Sequence, residues 1–178
     1  MLATGLVLAA LILRAADGPA PAAARFSAPE PVEITGYVGH AMEPFLSRDG
    51  RWLFFNSRNQ PGDETDLHLA ERVSRARFDY LGPLDGANSA ALDGVPSLDE
   101  AGGFYFVSPR AYDETRNTLW RGVFDDGAVT DIAPLPGSVS RDQPLWLNMD
   151  AEISADGERL YFTENRWRLF GGGVIRSN

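Results

Sequence analysis

The chain has 178 residues, 44% hydrophobic and 11% aromatic, with a formal net charge of −9. That size suits one domain or part of one, and the acidic balance repels phosphate backbones and anionic lipid, so nucleic acid is not an expected partner, nor is a membrane once a leader is removed. The absence of cysteine excludes disulfides, thiolate metal sites, cysteine nucleophiles and a lipid-bearing cysteine anchor.

Leu2–Leu13 is an apolar run too short to cross a bilayer as a helix, and Ala22-Ala23-Ala24 supplies the small residues of a cleavage site. Residues 1–24 are therefore expected to be a signal peptide, and the product periplasmic or secreted; an uncleaved anchor or a misassigned start stay open as alternatives. Residues 25–31 are rich in Pro and Ala and form a linker. Val32–Thr35 is a short strand candidate. The GYVGH that follows it resembles LGPLDGANS and IAPLPGSVS further on.

From here one phrase occurs three times: EPFLSRDGRWLFFNS over 43–57, VPSLDEAGGFYFVS over 95–108 and DAEISADGERLYFTE over 150–164. Each is a short apolar strand, a tight turn and an aromatic strand. The turn glycines Gly50, Gly102 and Gly157 lie 52 and 55 residues apart, a period that means a repeat architecture. The units are about 40–91, 92–147 and 148–178.

Asp49-Gly50 and Asp156-Gly157 suit a hairpin turn, with glycine at positive φ and the aspartate bonding turn amides. The second copy has Ala101-Gly102 and a shorter following strand. The aromatic pairs Phe54-Phe55, Tyr105-Phe106 and Tyr161-Phe162 should point to opposite sheet faces and be buried by a neighbouring sheet on each side. Further strands are expected over about Asp66–Arg72 and Arg77–Leu81 in unit one. Unit two should have Thr118–Phe124 and Ala128–Ala133, and unit three Phe170–Arg176. No segment outside the leader shows a helical period.

The pattern from Pro44 to Arg58, with Asp66-Leu67-His68 as a third-strand signature, resembles the WD40-like β-propeller repeat of the TolB type. Ala151–Arg166 and Pro96–Arg110, the latter with Leu119-Trp120, are similar to it. The resemblance covers roughly residues 32–178. It implies an all-β fold: a β-propeller of about three four-stranded antiparallel blades, an incomplete ring of a six-bladed type. It also implies two bare, aromatic-rich end faces, with a longer propeller, a homodimer closing one six-bladed ring, or a small three-bladed ring as ways to cover them. Val32–Thr35 is expected to complete the third unit.

The chain has no Gly-x-Ser-x-Gly elbow, phosphate loop, dinucleotide fingerprint or His-Glu-x-x-His. No catalytic residue, metal or cofactor is assigned. His40 precedes the first strand of unit one, and is open to two readings, a channel-facing binding residue or a loop histidine bonded to a turn, whereas His68 is read as structural or exposed. The acidic loop Gln60–Asp66 matches no calcium-loop spacing, is read as a solvated turn, and has its counterpart in Asp113–Arg116. Arg141–Asp150 is an insertion whose Asp142, Gln143, Trp146 and Asn148 form a candidate sugar- or peptide-binding lip, with Glu164–Trp167 a second rim. Glu43 and Asp150 occupy matching repeat positions near the axis.

Two functions follow. One is an exported, non-catalytic module binding protein, peptide or glycan through channel and loops. The other is a carbohydrate-active enzyme, or the propeller part of a larger one, using Glu43, Asp150 and His40 as acid–base groups.

Overall fold

The computed structural model describes residues 28–60, 63–135, 139–170 and 174–177. The chain divides between Glu30 and Pro31, and every described element lies in Pro31–Asn178. The expected signal peptide falls outside the described residues. No helix among the described residues is long and apolar enough to cross a membrane.

The second unit is all-β and holds three sheets. Strands β1 (Glu33–Thr35), β2 (Met42–Leu46), β3 (Trp52–Asn56), β4 (Leu67–Arg72) and β5 (Arg77–Pro83) form the first, in the order β1-β5-β4-β3-β2. Strands β6 (Gly94–Leu98), β7 (Gly103–Val107), β8 (Leu119–Asp125) and β9 (Ala128–Pro134) form the second in sequence order. Strands β10 (Trp146–Ile153), β11 (Leu160–Phe170) and β12 (Val174–Ser177) form the third. Consecutive strands from β2 onward within each sheet pair antiparallel. A one-turn helix, α1 (Tyr112–Thr115), interrupts the β7–β8 connection where only a loop is expected.

The turn chemistry explains the repeat. Asp49 Oδ1 accepts from the Ser47 hydroxyl and the Arg51 amide, while Ser47 Oγ accepts the Trp52 amide. Ser154, Asp156, Glu158 and Arg159 reproduce the set in the third copy. The second copy has no aspartate before its glycine. Asp99, in the place of the serine, accepts from both Ala101 and Gly103 at 2.9 and 2.7 Å. One longer side chain thus closes a turn that is one residue shorter.

Alternation then decides which ring faces which sheet. Phe54 and Trp52 meet Phe124 at ring-centroid distances of 4.9 and 5.7 Å, and Phe54 meets Phe104 at 5.2 Å, so the first and second sheets pack face to face. Val107 and Leu119, on the other face of the second sheet, pack with Ala151 and Leu160 of the third. The connections between sheets are tied in the same way twice: Leu84 donates to the Leu67 carbonyl, and Leu135 to that of Leu119.

Three expectations are corrected. Residues Glu33–Thr35 do not complete the third unit. They pair in parallel with Arg77–Asp79 on the outer edge of the first sheet, because the short link through Gly36–Ala41 returns the chain to the inner edge of that same sheet. The outer face of the first sheet is accordingly not bare: Leu53, Phe55, Ala70 and Phe78 are covered by Ile34, Tyr37 and Tyr80. Tyr161 and Phe162, in contrast, are 59% and 38% exposed, so the third aromatic pair lacks the two-sided burial of the others.

Candidate functional site

The innermost strands converge, β2 beside β6 and β6 beside β10. Each carries a bulge at the same place, between Met42 and Phe45, Gly94 and Ser97, and Met149 and Glu152. Within these bulges Glu43, Val95 and Asp150 adopt φ of 50°, 55° and 54°. A left-handed backbone costs a non-glycine residue about 1–2 kcal/mol. The bulge aims each of these side chains out of the regular pleat, and none of the three positions uses glycine to relieve the strain.

Glu43 and Asp150 are both exposed, and the Asp150 charge acts on the Glu43 carboxyl. Burial pushes the Glu43 carboxyl up; a hydrogen bond from Asn56 opposes this, the Asp150 charge adds to it, and the Val95 amide opposes it. Asn56 is fully buried at the end of β3, and its Oδ1 accepts the Val95 amide at 3.2 Å. A Cβ at Gly94 would press on the Asn56 amide, 3.3 Å from its Cγ and Oδ1, and would only touch Glu43 Oε2 at an ordinary 3.5 Å. These carboxyls on the converging inner strands can accept hydrogen bonds from hydroxyl or ammonium groups, and that of Glu43 is more readily protonated than an ordinary carboxyl.

A raised carboxyl pKa means that the folded state holds the proton more tightly than the unfolded chain. The stabilising contribution is present below the ordinary carboxylate range and lost as pH rises through the raised value. Glu43→Gln should therefore match the parent protein near about pH 4 and melt no more than about 2 °C higher at neutral pH. Thermal melts at the two pH values check this, and a less stable variant at neutral pH contradicts it.

The other expected site residues lie apart from this pair. His40 is exposed, and the carboxyl of Asp63 in the β3–β4 loop is held low mainly by Arg58. Arg58 and Asp63 also account for the acidic loop as an ion-paired turn, at 2.8 Å. His68 is structural: it is buried, stacked on Phe55 at 5.3 Å, and bonded to the Tyr80 hydroxyl at 2.8 Å. Trp146 is the first residue of β10 rather than part of a loop, and the Arg141 guanidinium lies 4.3 Å over its ring.

Asn148 is buried, with its backbone bonded to the Thr118 hydroxyl and its Nδ2 to the Val139 carbonyl, so its amide is already engaged. Asp142 and Gln143 stay exposed. On the second rim Glu164 is paired with Arg141, and Trp167 Nε1 is enclosed with no hydrogen-bond partner among the described residues.

Two residues escaped the sequence reading. Asn56 ends an otherwise apolar strand, and that polarity was its signal. Arg48, at the turn end of β2, reaches the third sheet, donating to Glu152 and to the Ile153 carbonyl at 2.9 Å each. Beside it, Asp49, Trp52, Asp99, Glu100 and Phe124 line a cleft of about 220 Å³ between the first and second sheets. No protein-family model matches the chain, and no characterised protein matches it significantly.

Proposed function

We propose that the protein is an exported, non-catalytic ligand-binding module of the TolB-like WD40 repeat kind. In this reading its three sheets are successive propeller blades, and its ligand, a protein, peptide or glycan, is gripped at the axis. The observation that carries this reading is the threefold bulge, which recurs at Glu43, Val95 and Asp150 on the converging inner strands. Strained non-glycine backbone that recurs at one place in a fold is characteristic of binding sites. The acidic pair with Asn56 suits hydroxyl-rich or ammonium-bearing ligands. Export is supported by the apolar run and small residues of 1–24.

A second reading has one observation in its favour. A carboxyl raised by burial and by a neighbouring carboxylate is the arrangement of acid and base in glycoside hydrolysis. One experiment separates the two. The mature chain and the variant Glu43→Gln/Asp150→Asn are screened on glycan and peptide arrays and with chromogenic glycosides. Ligands held by the parent and lost by the variant, with no turnover by either, support the binding module. Turnover lost in the variant replaces it with the enzyme, and an array profile identical for both proteins removes the axial site.

A further inference from the structure

A titratable side chain lies enclosed on the outer face of the first sheet, under the segment that follows β1. His68 is 8% exposed. Its ring stacks on Phe55 at 5.3 Å, and the rings of Tyr37 and Tyr80 stand 5.3 and 5.7 Å away. The Tyr80 hydroxyl lies 2.8 Å from Nδ1. A neutral imidazole suits such an aromatic enclosure, whereas an imidazolium there gives up most of its hydration.

What closes the enclosure is a short tie. Tyr37 packs edge-on against Phe55 at 4.9 Å and beside Tyr80 at 5.1 Å. Ahead of it β1 meets β5 over three residues, with Ile34 turned into the cluster and Glu33 and Thr35 exposed. The Glu33 amide donates to the Ala76 carbonyl at 2.9 Å. An edge pairing this brief opens at lower cost than the sheet beneath it.

The charged groups around the ring are few. Asp66, at the entry to β4, sets its charge against the desolvation of His68. Tyr80 faces the ring from β5 and Tyr37 from the strap. Burial pushes both hydroxyls up, so neither is charged at neutral or lower pH. Strand β3 carries no titratable side chain. Alternation turns Glu33, Arg77 and Asp79 away from the face that holds Ile34 and Phe78. His40, in the same link as Tyr37, is exposed.

We propose that Glu33–Tyr37 is an acid-released strap: protonation of His68 lifts Tyr37 from its ring and uncovers the outer face of the first sheet. Burial holds the docked imidazole below its ordinary value, with the Asp66 charge in opposition. The docked state therefore binds the proton less tightly than the lifted one. Its advantage is full above the ordinary histidine value of about 6.5 and shrinks as pH falls below that. Leu53, Phe55 and Phe78 form the surface laid open. The proposal is independent of the site at Glu43 and Asp150.

The test is amide hydrogen exchange on the full chain, followed by nuclear magnetic resonance and divided by the intrinsic rate at each pH. The Glu33 amide reports the strap, and the Leu84 amide, bonded to the Leu67 carbonyl at 2.8 Å, reports the sheet. From about pH 7.5 to about pH 5.5 the protection of Glu33 should fall about fivefold, while that of Leu84 stays within about twofold. His68→Phe keeps a ring without a proton site and should abolish the fall, as should the polar replacement His68→Gln. His40→Gln should leave the fall intact. A parent protein that shows no fall overturns the proposal. So does a fall that persists in both His68 variants, one abolished by His40→Gln, or an equal fall at Leu84.

Discussion

Gly86→Ala should be among the most destabilising single substitutions in the protein, at about 3–4 kcal/mol and a drop in melting temperature of about 10 °C. Gly86 has φ of 74°, where alanine alone incurs about 1 kcal/mol. The larger cost is steric. A Cβ at this position would sit 2.1 Å from the Val129 carbonyl oxygen and 3.2 Å from its carbon, both backbone atoms that cannot rotate aside.

The contact it would force apart joins the first sheet's exit to the second sheet's outer strand. The Val129 amide donates to Asp85 at 2.9 Å, and Asp85 bridges Ala128 in parallel fashion. Gly82→Ala is the control. It has φ of 131° but nothing within 4 Å of the added carbon, so only about 1 kcal/mol is expected. Chemical denaturation of both variants checks the difference, and equal losses would show that the close approach to Val129 is not real.

Asp93→Ala should cost about 3–5 kcal/mol, the range for breaking one half of a buried ion pair. Asp93 is fully buried. One of its carboxylate oxygens lies 2.5 Å from Arg110, and the other accepts the amide and the hydroxyl of Ser89. The Arg110 guanidinium also donates to the Ala87 carbonyl and lies over Phe106 and Trp120, at 5.0 and 5.5 Å from their ring centres. Removal of Asp93 leaves that largely enclosed cation with the Ala87 carbonyl, the Ser108 hydroxyl and two ring faces for compensation.

Asp93→Asn keeps an acceptor for Ser89 and should lose less. Arg58, which ends the first motif copy as Arg110 ends the second, pairs with Asp63 at the surface, and Arg58→Ala should leave the unfolding midpoint unchanged. Denaturant midpoints order the three variants. An Asp93→Ala protein as stable as Arg58→Ala would refute the account of the pair.

The turns and the aromatic strands were legible because their signals are local. Asp-Gly, Ser-x-Asp and period-two aromatics need only a few neighbouring residues to act, and they placed β2, β3, β6, β7 and the start of β11 within a residue or two. That Glu43 and Asp150 stand at matching points of their bulged strands was legible for the same reason, since both open a copy of the repeated phrase. What failed was long-range or depended on coverage. Nothing in Glu33–Thr35 distinguishes an edge partner of β5 from a partner of the third sheet.

Phe162 has the composition of a buried residue but is 38% exposed, and Trp146 reads as loop because β10 begins earlier in its repeat than β2 and β6 do. The bulges left no mark either, since Glu43, Val95 and Asp150 adopt a backbone conformation in which the reader of a sequence expects glycine. Asp99 shows the converse. The second turn has Ala101 where the others have an aspartate, and the role has moved to Asp99 two residues earlier.

The account rests on like sheets stacked face to face, with the inner strands drawn together. It is tested most directly by aromatic nuclear Overhauser spectroscopy on selectively labelled protein. Cross-peaks are predicted from the Phe54 ring to those of Phe104 and Phe124, whose centres lie 5.2 and 4.9 Å away on the next sheet. A Phe54 ring that shows contacts only within its own hairpin would contradict it.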